Sequence, residues 1–339
     1  MSEIEISKAS KKELIEAFGL GAKRDKKDKR DFRLSGIQGV AELPPSFCLD
    51  QKFPPKNQFS RGSCTSQSQA HHKEEQEGVP CAARFVMAKT KELEGNKKYG
   101  ATTRNTFKIV KDFGICEEKL YPEPDRSMSW EEYIDHNLIP RSCEEDALKH
   151  KSQSFWRVDA FPEPIKQAIY QNKVSVVLSM RWYREFMTPL SGGILPSVFK
   201  PENYLTGHAV NCIGWDDEIG ALKIKNSWGP NWGVKGYFYL PYSLCPTLLW
   251  DAWSSLDVPE EMPVDNYYGR KRTYGTFLKE QATAFNPWLL KKLKRLPNNR
   301  EIKALVYGFW DYETVFQGKN GGLWLKITKP EAIKNGLIK

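Results

Sequence analysis

The stretch KNSWGPNWGVKGYF at 225–238 decides the fold when it is read together with KNQFSRGSC at 56–64 and GHAVNCIGW at 207–215. In the first stretch the indole of Trp228 follows Asn226 by two positions. An amide oxygen can accept a hydrogen bond from an imidazole N–H and hold that ring in one tautomer. An indole beside this bond would shield it from water and strengthen it. A polar turn with buried aromatic residues has a similar sequence, so the stretch gains meaning only from its partners.

The second stretch places a thiol at the predicted start of a helix. Cys64 follows Gly62 and Ser63 and opens the helical pattern CTSQSQAHH. Unpaired N–H groups and the positive end of the helix dipole stabilise a thiolate at such a position. Six residues upstream, the side-chain amide of Gln58 could donate to an oxyanion beside the sulfur. Most cysteines near helix starts are ordinary small hydrophobic residues, and that alternative stays open here.

The third stretch contains His208, one of five histidines in the chain. His208 is the only one preceded by glycine in a strand-like pattern, and a structural role is the alternative for any single histidine. The other histidines lie in polar segments that are predicted to be exposed. They are His71, His72, His136 and His150.

Together the three stretches resemble the papain family of cysteine peptidases, from about residue 43 to residue 259. The resemblance implies that Cys64 is the nucleophile and that His208 is the general base and acid. It further implies that Asn226 orients the imidazole and that Gln58 is the oxyanion donor. The implied cleft lies between a helical half and a β-rich, barrel-like half, and the implied activity needs no cofactor and no metal.

The segment YGATTRNTFKIVKDFGI at 99–115 is similar to the segment of the family that binds the substrate as an added strand. Gly100 and Ala101 would stand at its two small-residue positions and Trp228 beside the site, so these three residues are the predicted substrate-binding residues. Thr65 replaces the aromatic residue that usually follows the nucleophile. Arg61 and Lys98 replace two cysteines that form a disulfide in secreted members. These departures and the short leader make the chain more similar to bacterial or bacteriophage members than to lysosomal ones.

The order of helical and strand-like patterns predicts an α+β fold. Predicted helices cover 66–94, 105–114 and 163–173, and β-type runs lie at 174–180 and between 207 and 240. The predicted organisation is a charged N-terminal arm at 1–42, a mainly helical half at 43–150, a β-rich half at 151–259 and a basic extension at 260–339. A helix is predicted at 11–18 within the arm, which is otherwise expected to be solvated. A basic amphipathic helix at 289–296 and a hairpin between 304 and 328 are predicted in the extension.

The charge of the chain is concentrated at its C-terminal end. Residues 265–339 hold 15 Lys or Arg against 6 Asp or Glu, which accounts for the net charge of +9. This segment could bind a polyanion such as nucleic acid, a cell wall or a membrane surface, or it could be a docked appendage. No run of about 18 apolar residues and no signal peptide is evident, and seven cysteines without a framework pattern argue against disulfides. These features predict a cytoplasmic protein, or a virion-associated one if a phage encodes it.

The resemblance therefore predicts a peptidase that cleaves peptide or protein substrates through a thioester acyl-enzyme. Two alternatives remain. The fold could serve as a catalytically silent structural or binding module within a larger assembly, or the same triad could transfer the acyl group to an amine.

Overall fold

The computed structural model describes residues 3–26, 28, 31 and 41–257, and the backbone of two strands further on. The chain divides into two compact units, residues 1–35 with 40–257 and residues 36–39 with 258–339. The first unit has the papain-like α+β fold that the sequence predicts. Its α-helices are α1 (Glu3–Lys8), α2 (Lys11–Phe18), α3 (Cys64–Glu77), α4 (Ala83–Glu94), α5 (Thr103–Asp112), α6 (Trp130–Tyr133), α7 (Arg141–Ala147), α8 (Pro162–Asn172) and α9 (Cys245–Leu248).

The helical half is built around α3, α4 and α5. The helix α5 is strongly amphipathic, and its Ile109 and Val110 complete a core with α4. Phe107 on the same helix packs in a second cluster with Val177 and Trp253 of the sheet. The predicted helices at 66–94, 105–114 and 163–173 are thus present as α3, α4, α5 and α8.

A single mixed sheet forms the other half. Its strands are β1 (Ala22–Lys23), β2 (Ser46–Cys48), β3 (Ala101–Thr102), β4 (Ser154–Arg157), β5 (Val176–Tyr183), β6 (Tyr204–Asp216), β7 (Ala221–Lys225), β8 (Tyr237–Pro241) and β9 (Leu249–Leu256). The order β3-β1-β6-β5-β9-β4 runs across the sheet, with β2 and β7 also on β6 and β8 on β7. The 13-residue β6 is the central strand, and it carries His208 where it pairs with Met180 of β5.

Two expectations about side chains are wrong. His71 and His72 lie on α3, the helix at the centre of the domain, and both are fully buried rather than exposed. The His71 Nε2 accepts from the Lys56 amide at 2.9 Å, and the His72 ring bonds to the hydroxyl of Ser255. Packing against the sheet overrides the polar pattern of this helix, because these polar groups find partners inside the domain.

A disulfide is also present, contrary to the expectation from cysteine spacing. Cys116 and Cys143 are 27 residues apart in sequence and form it, and Cys143 lies in α7. The other five cysteines, Cys64 among them, are free thiols.

The N-terminal arm is folded against the domain over residues 3–26, instead of being a solvated tail. The helix α2 is the one predicted at 11–18, and it begins with a capping box between Ser10 and Glu13. Leu14 on this helix and Leu20 just after it are buried in the main hydrophobic core. The arm then enters the sheet as β1.

The second unit shows one antiparallel pair, β10 (Glu313–Gln317) with β11 (Trp324–Thr328), within the hairpin predicted there. The amphipathic helix predicted at 289–296 and the rest of the basic extension lie outside the described residues. Among the helices that the structure does describe, none has the length and apolar character to span a membrane.

Candidate active site

The thiol of Cys64 sits at the first residue of α3, at the junction of both halves of the domain. Backbone amides of Ala209, Gly21, Thr65 and Ala22 face the sulfur and favour its thiolate. Burial has the larger effect and raises the pKa of the Cys64 thiol, because the side chain is completely enclosed. Two of the four amides belong to the N-terminal arm, so the arm itself covers the sulfur.

His208 and Asn226 are joined by a short hydrogen bond. The His208 Nε2 and Asn226 Oδ1 atoms are 2.7 Å apart. The amide of Ser227 also donates to this Oδ1, at 2.8 Å, which identifies the atom as the acceptor oxygen. The imidazole therefore carries its proton on Nε2, and its Nδ1 has no hydrogen-bond partner among the described residues. Such a nitrogen is free to accept a proton.

Two indoles enclose the imidazole. Trp228 stacks on the His208 ring at 4.8 Å between centroids, and Trp182 meets it edge-on at 4.9 Å. Burial lowers the pKa of His208 to about 4, against the opposing effect of the bond to Asn226. Trp228, predicted to contact the substrate, thus contacts the imidazole directly. Trp182 was not singled out from the sequence, since nothing in its strand pattern separates it from a core residue.

Gln58 is buried beside the same turn. Its Oε1 accepts from the hydroxyl of Ser227 at 2.6 Å, which ties it to the residue after Asn226. Its Nε2 donates to the carbonyl oxygens of Gly19 at 2.6 Å and Arg61 at 2.9 Å. The amide predicted to hold an oxyanion therefore holds a carbonyl of the protein's own arm.

Residues 19–23, which we call the cleft segment, run between the two halves of the domain. In β1, Ala22 pairs with Ala101 of β3 in parallel and with Gly207 of β6 in antiparallel register. A Cβ on Gly100 would lie 1.9 Å from the Gly21 oxygen, and one on Gly207 would lie 2.1 Å from the Ala22 oxygen. Gly100 and Ala101 thus bind an added strand, as the sequence predicts for a peptide, and the strand here is the cleft segment.

Both ends of the cleft segment are anchored. Before it, Phe18 packs on Trp228 with ring centroids 4.9 Å apart. At its last residue, the Nζ of Lys23 donates to the Gly100 oxygen at 2.9 Å. The small residues at 19, 21 and 22, directly after an amphipathic helix, could have predicted that the arm enters the cleft. The charge run that follows them favoured the prediction of a solvated arm instead.

Arg61 and Lys98, which replace the two cysteines, play different roles. The Arg61 guanidinium is buried and pairs with Glu123 at 3.3 Å, and it also lies over the Tyr133 ring. Burial raises the pKa of Glu123 to about 7, although Arg61 and the Tyr133 hydroxyl act in the opposite direction. The loop that leads into Cys64 is held by this ion pair. Lys98 is exposed and bonds through its backbone amide to Asn96.

A group of possible metal ligands lies elsewhere, at Glu117, Asp146 and His150. Asp146 already accepts from the Glu117 amide and from Lys149, and His150 bonds to Glu77. Protein partners account for these groups, and the cluster is remote in sequence from the residues around Cys64.

Comparison with known proteins identifies the family of this fold. The profile of the papain family cysteine proteases matches residues 52–245. A peptidase C1-like protein of Acanthamoeba polyphaga mimivirus is 25% identical over 289 residues, which cover 77% of this chain and 88% of the relative. Chymomexicain of Jacaratia mexicana is 30% identical over 190 residues, 54% of this chain and 80% of the relative.

Among solved structures, xylellain, a cysteine protease from Xylella fastidiosa, superimposes with a TM-score of 0.65 at 26% identity. The superposition covers 72% of this chain and 98% of xylellain. The viral and bacterial relatives fit the type of source expected from the departures in the motifs. With the family profile covering more than half of its length, the chain belongs to the papain family and is a cysteine peptidase.

Proposed function

We propose that this peptidase acts through Cys64, His208, Asn226 and Gln58, and that the structure is its latent form. The observation that supports the triad is the 2.7 Å bond between His208 Nε2 and Asn226 Oδ1, which fixes the ring with Nδ1 unprotonated. The Ala209 amide faces the Cys64 sulfur, so the residue after the histidine adjoins the thiol.

The reaction divides between a nucleophile, a proton carrier that Asn226 orients, and the donors to the oxyanion. His208 Nδ1 takes the thiol proton, and the sulfur of Cys64 attacks the carbonyl carbon of a peptide bond. Gln58 Nε2 and the Cys64 amide hold the oxyanion. His208 gives the proton to the departing amine, which leaves a thioester on Cys64. Water, deprotonated by His208, then attacks the thioester, and the thiol and a carboxylic acid are released.

The cleft segment opposes the first of these steps. It lies against the thiol of Cys64, and burial favours the neutral form of this thiol and of the His208 imidazole. It also occupies Gln58 with the Gly19 carbonyl, while the thiol faces the amides of Gly21 and Ala22. The carbonyl that Gln58 holds is that of Gly19, whereas the sulfur lies at the amides of Gly21 and Ala22. No single peptide bond of the segment is therefore placed at both groups, so the segment is not positioned for attack by Cys64.

The test opens the cleft in the full chain by a change confined to the arm. A Cβ at Gly19, whose φ is +64°, would lie 2.2 Å from the Arg61 oxygen and 2.5 Å from Gln58 Nε2. Gly19→Val should therefore expel the segment. Gly95→Val is the matched control, because Gly95 has φ +60° and no atom within 4 Å of its Cβ position.

We expect Gly19→Val to hydrolyse casein faster than the wild type or Gly95→Val, and Cys64→Ser to abolish this in the same background. Iodoacetamide should label Cys64 in Gly19→Val and not in the wild type. Labelling without turnover at any pH would favour the silent module. Products joined to an added amine would favour acyl transfer. Fast labelling of Cys64 in the wild type would contradict latency.

A polyanionic partner for residues 265–339 and a cytoplasmic or virion location stay predictions.

A further inference from the structure

Three aspartates of the N-terminal arm converge on two arginines of the domain. The two carboxylate oxygens of Asp31 bind different arginines, Arg104 Nε at 2.6 Å and Arg157 at 3.2 Å. Asp28 binds Arg104 at 3.0 Å, and Asp25 lies 3.9 Å from Arg157. A carboxylate held by two guanidinium groups is a strong, orientation-dependent interaction. In this structure, Arg104 and Arg157 therefore bind carboxylate groups of the arm.

The arginines stand on rigid elements of the domain. Arg104 is in the first turn of α5, and Arg157 ends β4 with its guanidinium 4.4 Å from the centre of the Trp253 ring. Arg157 also bonds to Asp251, a carboxylate of the domain. Without the arm, Arg157 would keep Asp251, and the guanidinium of Arg104 would lose both carboxylates that the described residues offer it. The positive charge that is left over would favour a further anion.

The arginine pair lies along the path of the cleft. Ala22 of the arm pairs with Ala101 of the domain. Asp25 lies three residues after Ala22, and Arg104 lies three residues after Ala101. Three residues of extended chain span about 10 Å. The Ala22 amide faces the Cys64 sulfur, so the pair lies a few residues from the bond that Cys64 would attack. A peptide in the cleft can therefore reach the arginines with one side chain.

We propose that Arg104 and Arg157 form a subsite for an acidic side chain of the substrate, which the arm's aspartates occupy in the latent form. This inference rests on the proposed peptidase activity and adds a substrate class to it. The pair selects peptides with a carboxylate at one fixed distance from the cleaved bond. A hydrogen bond to a charged group contributes enough to give a preference of about 10- to 100-fold for the acidic peptide.

The experiment uses the full chain with Gly19→Val and two peptide series. The series differ only in Asp against Asn at one position, placed in turn two to five residues from the cleaved bond. The measured quantity is the kcat/KM of the Asp peptide divided by the kcat/KM of the Asn peptide for the same variant. Both values depend equally on the fraction of enzyme whose cleft is open, so this fraction cancels in the ratio. Arg104→Gln is the principal variant, because Arg157→Gln would leave Asp251 without its partner. Lys108→Gln, one turn further along α5 and half exposed, is the control.

We expect a ratio above about 10 at one position, a ratio near one in Arg104→Gln, and an unchanged ratio in Lys108→Gln. Added salt should lower the ratio. Peptides that are cleaved equally at all positions, or a preference that survives Arg104→Gln, would overturn the acidic subsite and leave the peptidase intact. Absence of cleavage of both series would overturn the proposed activity and the subsite with it.

Discussion

Leu20 offers the most direct measure of how firmly the arm closes the cleft. The side chain is 1% exposed and belongs to the main hydrophobic core, although it lies in the arm between Gly19 and Gly21. Leu20→Ala removes buried methyl groups from the docked arm only, because the free arm leaves this side chain in water. Truncation of a buried leucine costs about 2–5 kcal/mol. At about 1.4 kcal/mol for each factor of ten, the lower bound alone increases the open fraction about 30-fold.

The assay is the rate of Cys64 alkylation by iodoacetamide, followed by peptide mass spectrometry. Cys48 is an exposed free thiol in the same chain and serves as the internal standard. We expect the ratio of Cys64 to Cys48 labelling to rise by at least about 30-fold in Leu20→Ala. Leu148→Ala is the control, since Leu148 is 60% exposed and lies on the helical half. An unchanged ratio in Leu20→Ala, or an equal rise in Leu148→Ala, would refute the role of the arm.

Three further results are expected. Asn226→Ala in the opened chain should lower kcat by about 10²-fold or more, because His208 loses the bond that fixes its tautomer, and single-turnover kinetics with unchanged folding by circular dichroism would check this. Burial and the neighbouring Asp251 raise the pKa of Asp25 to about 7. The ordinary pKa of this carboxyl is 3.8, so between that pH and about 7 the docked arm holds a proton that the free arm has released. Docking should therefore weaken as the pH rises from about 4 to about 7 and change little above it. Hydrogen-exchange protection of residues 18–26 should fall over that range in the wild type and stay constant in Asp25→Asn. Cys143→Ser should lower the free energy of unfolding by about 3 kcal/mol in urea melts, because a crosslink across a loop of 27 residues is lost. If the wild type is equally stable with and without reductant, the disulfide does not form.

The positions of the candidate site residues in the fold were predictable because each has a local sequence cue. Gly62-Ser63-Cys64 predicts a thiol at a helix start, and the structure has Cys64 there; the stretches around His208 and Asn226 have distinctive flanking residues. The helices and the central strands followed from apolar periodicity and turn residues. The family profile and the solved structures confirm the fold that these patterns predict.

What the sequence did not predict depends on contacts between distant segments. The arm has a high density of charge, which favours a solvated chain, yet its aspartates find arginines about 75 or more residues away. His71 and His72 look exposed until the sheet packs over α3 and supplies partners such as Ser255. The pairing of Cys116 with Cys143 requires that two loops meet, and spacing alone does not reveal this.

The ion pair between Arg61 and Glu123 has a consequence for how the enzyme can be handled. A catalytic thiol works only while it is reduced, and a reductant that protects the thiol also cleaves a crosslink made of sulfur. Here the loop that leads into Cys64 is held by charge and by the contact with the Tyr133 ring. A reductant that keeps the Cys64 thiol free therefore leaves this ion pair intact.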